Sequence, residues 1–292
     1  MNIIISGSLG NVGKPLTNKL VQAGHKVTVI SSSADRKPAI EALGAVPAIG
    51  SVSDAAFLTQ VLTGADAVFA MTPPNMGGSN VIENTVNAGK SFSEAILNSG
   101  VKHVVMLSSI GAHLPGGNGP IASIHQIEKL YNDLEGVSVT FLRAGFFYTN
   151  YYNDVPLIKG LGIIGANYPA ETKMPLVHPA DIAAAAADEL VNPSAGKNVR
   201  YIISDLRTPA DAAKVFGQAI GKDGLPWVEF TDEQSLDGML KAGLPHEIAG
   251  LYTEMGQGLR NGNIAADFFA KGAPVTGQIK LEDFAKEFAD KY

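Results

Sequence analysis

Apolar residues along this chain recur in two alternating rhythms. Short β-branched runs bounded by glycine or polar clusters read as buried strands, and longer stretches with apolar residues three and four apart read as helices. Ile3-Ile4-Ile5, within Met1 to Ser6, is too brief for a helix and predicts a first strand. Val12, Leu16 and Leu20 predict a helix over Lys14 to Ala23, with Pro15 tolerated in its first turn and Gly24 at its end. Val27-Thr28-Val29-Ile30 predicts a second strand, Lys37 to Leu43 a helix and Val46 to Ile49 a third strand. Asp54 opens a helix through Leu62, either as its N-cap or as a ligand contact. The alternation continues through a strand over Ala67 to Met71 and a helix over Asn80 to Asn98 closed by Gly100. A strand over Lys102 to Leu107, a helix from near Ala122 and a strand over Val137 to Leu142 complete it. Such a series predicts an α/β fold, a parallel sheet with helices on both faces.

Past the sixth strand the rhythm breaks. Phe146, Phe147, Tyr148, Tyr151 and Tyr152 crowd into seven positions, either as core or as an apolar wall at the carboxyl edge of the sheet. Phe146, Phe147, Asn150 and Tyr151 are the pocket candidates, together with Pro74 from the loop after the fourth strand. Pro179 to Leu190 predicts an alanine-rich helix and Asn198 to Ser204 a seventh strand; beyond Thr208 the chain reads as helices, ending in the amphipathic segment Leu281 to Tyr292.

The chemistry begins at Gly7-Ser8-Leu9-Gly10-Asn11-Val12-Gly13, between the first strand and the first helix. Gly7 permits a sharp turn, Gly10 lets a phosphate approach the main chain and Gly13 lets helix and strand pack closely, while the helix start offers unpaired N–H groups. Strand, glycine turn, helix and strand within about thirty residues form a unit that binds a dinucleotide pyrophosphate. The expected fold is therefore doubly wound and Rossmann-type. Residues 1–150 are expected to hold the dinucleotide and 151–292 to form a smaller, mainly helical substrate part, with a strand near 198–205 returning to the sheet.

An acidic residue after the second strand would bind a ribose 2′-hydroxyl. Ser31-Ser32-Ser33 stands there instead, followed by Asp35, Arg36 and Lys37. Serine hydroxyls with Arg36 and Lys37 suit a 2′-phosphate, so NADP(H) is expected over NAD(H). The loop Thr72-Pro73-Pro74-Asn75-Met76-Gly77-Gly78 leaves the carboxyl edge, so Met71, Thr72 and Pro73 are expected beside the ribose and nicotinamide.

Composition narrows the partners. The chain has 292 residues, a formal net charge of -6 and no cysteine. General affinity for nucleic acid or an anionic membrane is not expected, and thiol chemistry is excluded, so redox work falls to a bound cofactor. No metal constellation stands out. The first strand begins without a leader-like segment and no apolar run nears spanning length, so a cytoplasmic protein is expected, as monomer or homodimer.

Gly7-x-x-Gly10-x-x-Gly13, Ser108-Ser109-Ile110-Gly111, Leu142-Arg143-Ala144-Gly145-Phe146-Phe147-x-x-Asn150 and Val177-His178-Pro179-Ala180-Asp181-Ile182 resemble the NmrA-like group of atypical short-chain dehydrogenase/reductases. The resemblance covers most of the chain. It implies an NADPH-dependent quinone reductase, and it adds Ser108 to the cofactor contacts. It also implies an alternative, a non-catalytic NADP(H)-sensing regulator. The superfamily's Tyr-x-x-x-Lys is absent; at the matching place stand His125-Gln126-Ile127-Glu128-Lys129. Lys129 is expected to hold the nicotinamide ribose, as the family's lysine does, and His125 to donate a proton or to be an ordinary helix residue. A conjugated apolar acceptor such as a quinone needs a positioned cofactor more than an acid. Sugar-nucleotide epimerisation, which needs a base at a hydroxyl, is the weaker reading.

Overall fold

Ile3, Ile4 and Ile5 are all buried, Ile3 and Ile5 toward one face of a strand and Ile4 toward the other. A strand covered on both faces has no reason to alternate polar with apolar. The computed structural model describes residues 1–73 and 79–292. Its first half runs β1 (Asn2–Ile5), α1 (Gly13–Gln22), β2 (Lys26–Ser31), α2 (Lys37–Ala42), β3 (Val46–Ile49), α3 (Ala55–Leu62) and β4 (Ala67–Ala70). There follow α4 (Val81–Ser99), β5 (His103–Ser109), α5 (Ile121–Asn132) and β6 (Ser138–Ala144). Each lies within a residue or two of the element its periodicity predicts.

Seven strands form one parallel sheet in the order β10-β6-β5-β4-β1-β2-β3, with β10 spanning Lys197–Ile202. The order reverses between β1 and β4, which opens a crevice at their carboxyl ends. On one face, Leu16 and Leu20 of α1 meet Ile3 and Ile5; on the other, Leu58, Phe92 and Ile127 from α3, α4 and α5 meet Ile4 and Val68.

The rest of the chain builds a cap over that crevice. It comprises β7 (Phe146–Phe147), α6 (Val155–Leu161), β8 (Ile164–Ala166), β9 (Met174–Val177), β11 (Asp205–Arg207), α8 (Pro209–Ala219) and β12 (Trp227–Glu229). Last come α9 (Asp232–Lys241), α10 (His246–Arg260), α11 (Asn263–Ala270) and α12 (Leu281–Lys291). Two small sheets, β11-β9-β7 and β12-β8, brace it. Strands of two or three residues, as β7, β8, β11 and β12 are, carry too little periodicity to read in advance.

A division at residue 150 does not follow the layers. The helix α7 (Pro179–Val191) lays Ala183, Ala186 and Leu190 into the core shared with α1 and β1, so it belongs with the sheet, as β10 does. Alanine side chains keep that approach close. Its start is tied to the cap: Asp181 Oδ2 accepts from Ser204 Oγ at 2.6 Å and from Ile279 N at 3.1 Å.

The aromatic cluster is mostly core. Tyr148 and Tyr151 are buried with Phe216, Phe284 and Phe288, and the Tyr151 and Phe216 rings lie 4.8 Å apart. Asp154 lies in the same layer, and burial raises its carboxyl to about 7. Because the folded value exceeds the unfolded one, ionisation opposes folding progressively from about pH 4 to pH 7 and by a constant amount above. Asp154→Asn should therefore raise stability by about 2–4 kcal/mol at pH 8 and leave it nearly unchanged near pH 3.5, as read from urea unfolding at the two pH values.

Candidate functional site

Just past β1 stands Ser6, whose hydroxyl donates to the Met71 carbonyl at 2.9 Å and accepts from Met71 N at 2.7 Å. This stitch brings the end of β4 beside the glycine turn. Gly7 turns with φ +97, and a Cβ there would lie 2.2 Å from Met71 Cε. A Cβ on Gly13 would lie 2.1 Å from the Ser8 carbonyl oxygen, so α1 meets the turn only because that position is glycine. Gly10 differs: a Cβ there would meet only the Gly7 carbonyl, at 3.3 Å. The chain itself barely requires that glycine, and the space above it fits a pyrophosphate.

The start of α1 has no acidic side chain and no side-chain cap; Lys14 N and Leu16 N donate to the Gly10 and Val12 carbonyls and Pro15 has no N–H, so the amides that face a ligand are those of Asn11, Val12 and Gly13. Leu9 packs on the core beneath and Asn11 Nδ2 donates to Thr149 Oγ1 at 3.4 Å, which joins the turn to the segment carrying Asn150. At the end of β2, Ser31 is buried and receives the Ser8 hydroxyl at 3.1 Å. Ser33 Oγ accepts from Asp35 N at 3.3 Å, capping a short 3-10 turn. Ser32, Arg36 and Lys37 are exposed, and no carboxylate stands at the strand end. Asp54 caps α3, its Oδ1 accepting from Phe57 N at 3.0 Å.

From the turn a cavity of about 430 Å³ runs toward the cap. Gly7, Gly10, Asn11, Val12, Gly13, Met71, Thr72, Pro73 and Ser108 line it, as do Phe146, Phe147 and Asn150. Ile110, Ile121, Ile124, Tyr252, Met255, Leu259 and Ile264 close its far end. Among the described residues the lining carries no histidine, lysine, arginine or carboxylate. Pro74 lies outside the described residues. Tyr151 is not part of the wall; its ring is buried in the cap core.

The expected pair on α5 is displaced by one residue. His125 Nδ1 donates to the Ala112 carbonyl at 2.8 Å and Lys129 is exposed; neither lines the cavity. The face that α5 turns to the site carries Ile121 and Ile124, and one turn further Glu128. Glu128 is buried and accepts the Ser108 hydroxyl at 2.5 Å.

Glu128 also holds Arg143, whose Nε and terminal nitrogen reach its two oxygens at 3.0 and 2.6 Å. The same guanidinium donates to Asp267 on α11 at 2.7 Å and to Tyr201 on β10 at 3.3 Å, and Tyr201 donates to Asp267. Burial by itself would lower the arginine, but its bonds to Glu128 and the charge there outweigh this and hold it firmly protonated. Burial and the bond to Asp267 push the Tyr201 phenol up to about 12. Burial opposes the Asp267 charge, yet bonds from Tyr201 and Lys271 leave its carboxyl below the ordinary range. The sequence reading ended this strand at Leu142, one residue short of Arg143; once β6 runs to Ala144, the buried guanidinium requires a buried acid.

With this geometry in view, comparison with known proteins gives the family. The NmrA-like family model matches residues 1–254, and the chain belongs to that family. It is 27% identical over 188 residues to the (4-alkanoyl-5-oxo-2,5-dihydrofuran-3-yl)methyl phosphate reductase of Streptomyces griseus, a match covering 64% of this chain and 62% of that relative. Among solved structures, an NADPH-dependent quinone oxidoreductase from Escherichia coli complexed with NADPH superposes with TM-score 0.81 at 21% identity, covering 98% of this chain and 99% of that one. The triphenylmethane reductase of Citrobacter sp. complexed with NADP(H) gives 0.81 at 16% identity, covering 98% and 99%. At such identities these two show a shared fold.

Replacing the buried guanidinium tests the arginine cluster. Arg143→Met strands the buried Glu128 without its cation, while Asp267 keeps Lys271 at 3.2 Å, and should cost about 3–5 kcal/mol, measured as a lower urea midpoint at pH 7.

Proposed function

We propose that the protein is an NADPH-dependent reductase that passes hydride to a quinone or a similarly conjugated apolar acceptor. The observation that carries this reading is the single cavity joining a glycine turn open to a pyrophosphate with an apolar far end walled by Phe146, Ile121 and Met255. The bound dinucleotide supplies the hydride; the chain supplies position and exclusion of water.

The amides of Asn11, Val12 and Gly13, where the turn enters α1, take the pyrophosphate. Ser32, Arg36 and Lys37 take the 2′-phosphate, a choice favoured by the missing carboxylate after β2 and by relatives crystallised with NADPH or NADP(H). Ser108 has committed its proton to Glu128, so toward the cavity it is an acceptor, suited to a ribose hydroxyl. A lining without ionised side chains favours a neutral, flat acceptor over a charged one. It also offers no base for a sugar hydroxyl, which disfavours epimerisation.

The same lack of ionised side chains leaves room for a second reading, a regulator that binds NADP(H) and changes partners without turnover. Identical partner binding in NADP+ and NADPH removes it.

Steady-state NADPH oxidation with a panel of quinones tests the first reading, and absence of acceptor-dependent turnover overturns it. Gly10→Val fills the space above the turn while meeting only one carbonyl of the chain. Calorimetric NADPH binding should be lost with folding retained, and unchanged affinity would discredit the assigned site. Arg36→Ala should weaken NADPH by about tenfold and NADH little, since one exposed charge-assisted contact is worth about 1–2 kcal/mol.

A further inference from the structure

The acceptor end of the cavity contains a phenol, that of Tyr252. Tyr252 of α10 lines the same wall as Met255 and Leu259, and among the described residues it is the one side chain of the lining with a titratable proton. The other hydroxyls nearby are committed: Thr85 to the Val81 carbonyl at 2.7 Å, Ser109 to the Ile110 carbonyl at 2.8 Å, Ser123 to the Pro120 carbonyl at 2.7 Å. Ser108 is held by Glu128. Thr72 and Asn150 sit at the opposite end, beside the glycine turn.

The helix that carries Tyr252 is fixed at both ends. At its start Glu247 clasps the first amides of α4, its two oxygens accepting from Asn80 N and Val81 N at 2.7 Å each. At its finish Arg260 donates to the Asn167 carbonyl at 3.0 Å and to Asp232 at 2.9 and 3.0 Å. Between them the backbone rides against Gly119, where a Cβ would lie 2.2 Å from the Leu251 carbonyl oxygen. A donor held this way costs little reorganisation when charge develops in front of it.

We infer that Tyr252 is a catalytic residue: its hydroxyl donates to the acceptor oxygen on which negative charge accumulates as hydride arrives, the role the absent Tyr-x-x-x-Lys tyrosine would otherwise fill. The inference rests on the reductase reading. Hydride adds to the conjugated acceptor, the displaced π electron pair moves onto its carbonyl oxygen, and that oxygen is stabilised by the Tyr252 O–H. A proton then passes to the oxygen, either from water directly or from Tyr252, whose oxygen regains one from water. The sum is acceptor, NADPH and one proton giving reduced acceptor and NADP+. Burial raises the phenol, so it stays neutral in the working range and serves as a donor rather than as a base. This polarity suits reduction and opposes removal of a proton from an alcohol.

The test uses two readouts on wild type and Tyr252→Phe, with calorimetric NADPH affinity as the check on folding. The first is binding of 4-nitrophenolate, a flat ring with a delocalised oxyanion, to the NADP+-saturated protein, set against neutral nitrobenzene. The variant should bind nitrophenolate about tenfold more weakly and nitrobenzene equally well, in line with one hydrogen bond to a charged group. The second is NADPH-dependent reduction of 1,4-naphthoquinone, where kcat should fall by about 100-fold with KM nearly unchanged, the usual loss when one oxyanion donor is removed. A structural role would instead shift NADPH affinity and KM together. Equal nitrophenolate binding by both proteins, no nitrophenolate binding by wild type, or an unchanged kcat overturns the inference. Discrimination between the probes without any quinone turnover would support the donor while overturning the reductase reading.

Discussion

A guanidinium placed inside a parallel sheet governs this molecule. Arg143 sits at the carboxyl end of β6, where an apolar side chain would suffice for packing, and its desolvation has to be offset by partners that arrive from elsewhere. Glu128 comes from α5, Tyr201 from β10 and Asp267 from α11, so the charge is satisfied only when sheet, flanking helix and cap are assembled together. Such clusters add little net stability but are severe about arrangement. Their effect reaches the cavity through Ser108, whose proton is directed toward Glu128 and whose lone pairs are thereby left for the cavity.

The glycine turn works by a different constraint. Two of its glycines answer to the chain, since Gly7 and Gly13 prevent clashes with Met71 and with the Ser8 carbonyl. Gly10 is constrained by the chain only through the Gly7 carbonyl, and the cavity opens above it. A turn that must be glycine for its own packing is rigid, and a rigid turn holds its amides ready before a phosphate arrives. Ser6 extends that rigidity to β4, so both sides of the crevice are set by one hydroxyl.

Much of this was legible in the sequence. The seven sheet strands and the helices between them followed from apolar spacing, and the turn from its glycines, because each signal is local. What failed was what depends on rotation or on distant partners. His125 and Lys129 share a helix face, but spacing alone does not say which face meets the sheet; Ile127 and Tyr131 claim the core and turn Ile124 and Glu128 toward the site. Tyr151 belonged to an aromatic cluster of undecided role, and burial against Phe216 assigned it to the core while Phe146 and Phe147 kept the wall. Tyr252 lay in a stretch that read only as helix. Nothing local marks a residue brought to the cavity by a helix more than a hundred positions from the turn.

The clasp of Glu247 on the start of α4 bears on how such a protein can change. A carboxylate from the cap terminates a helix of the sheet half, and Asp181 reaches in the other direction to Ser204 and Ile279. Neither half is a portable cassette, because severing them strips a helix end on one side and an ion cluster on the other. A change in what the cavity admits must then proceed by single replacements along the inner surface of α10 and the Phe146 wall, with the chassis inherited whole.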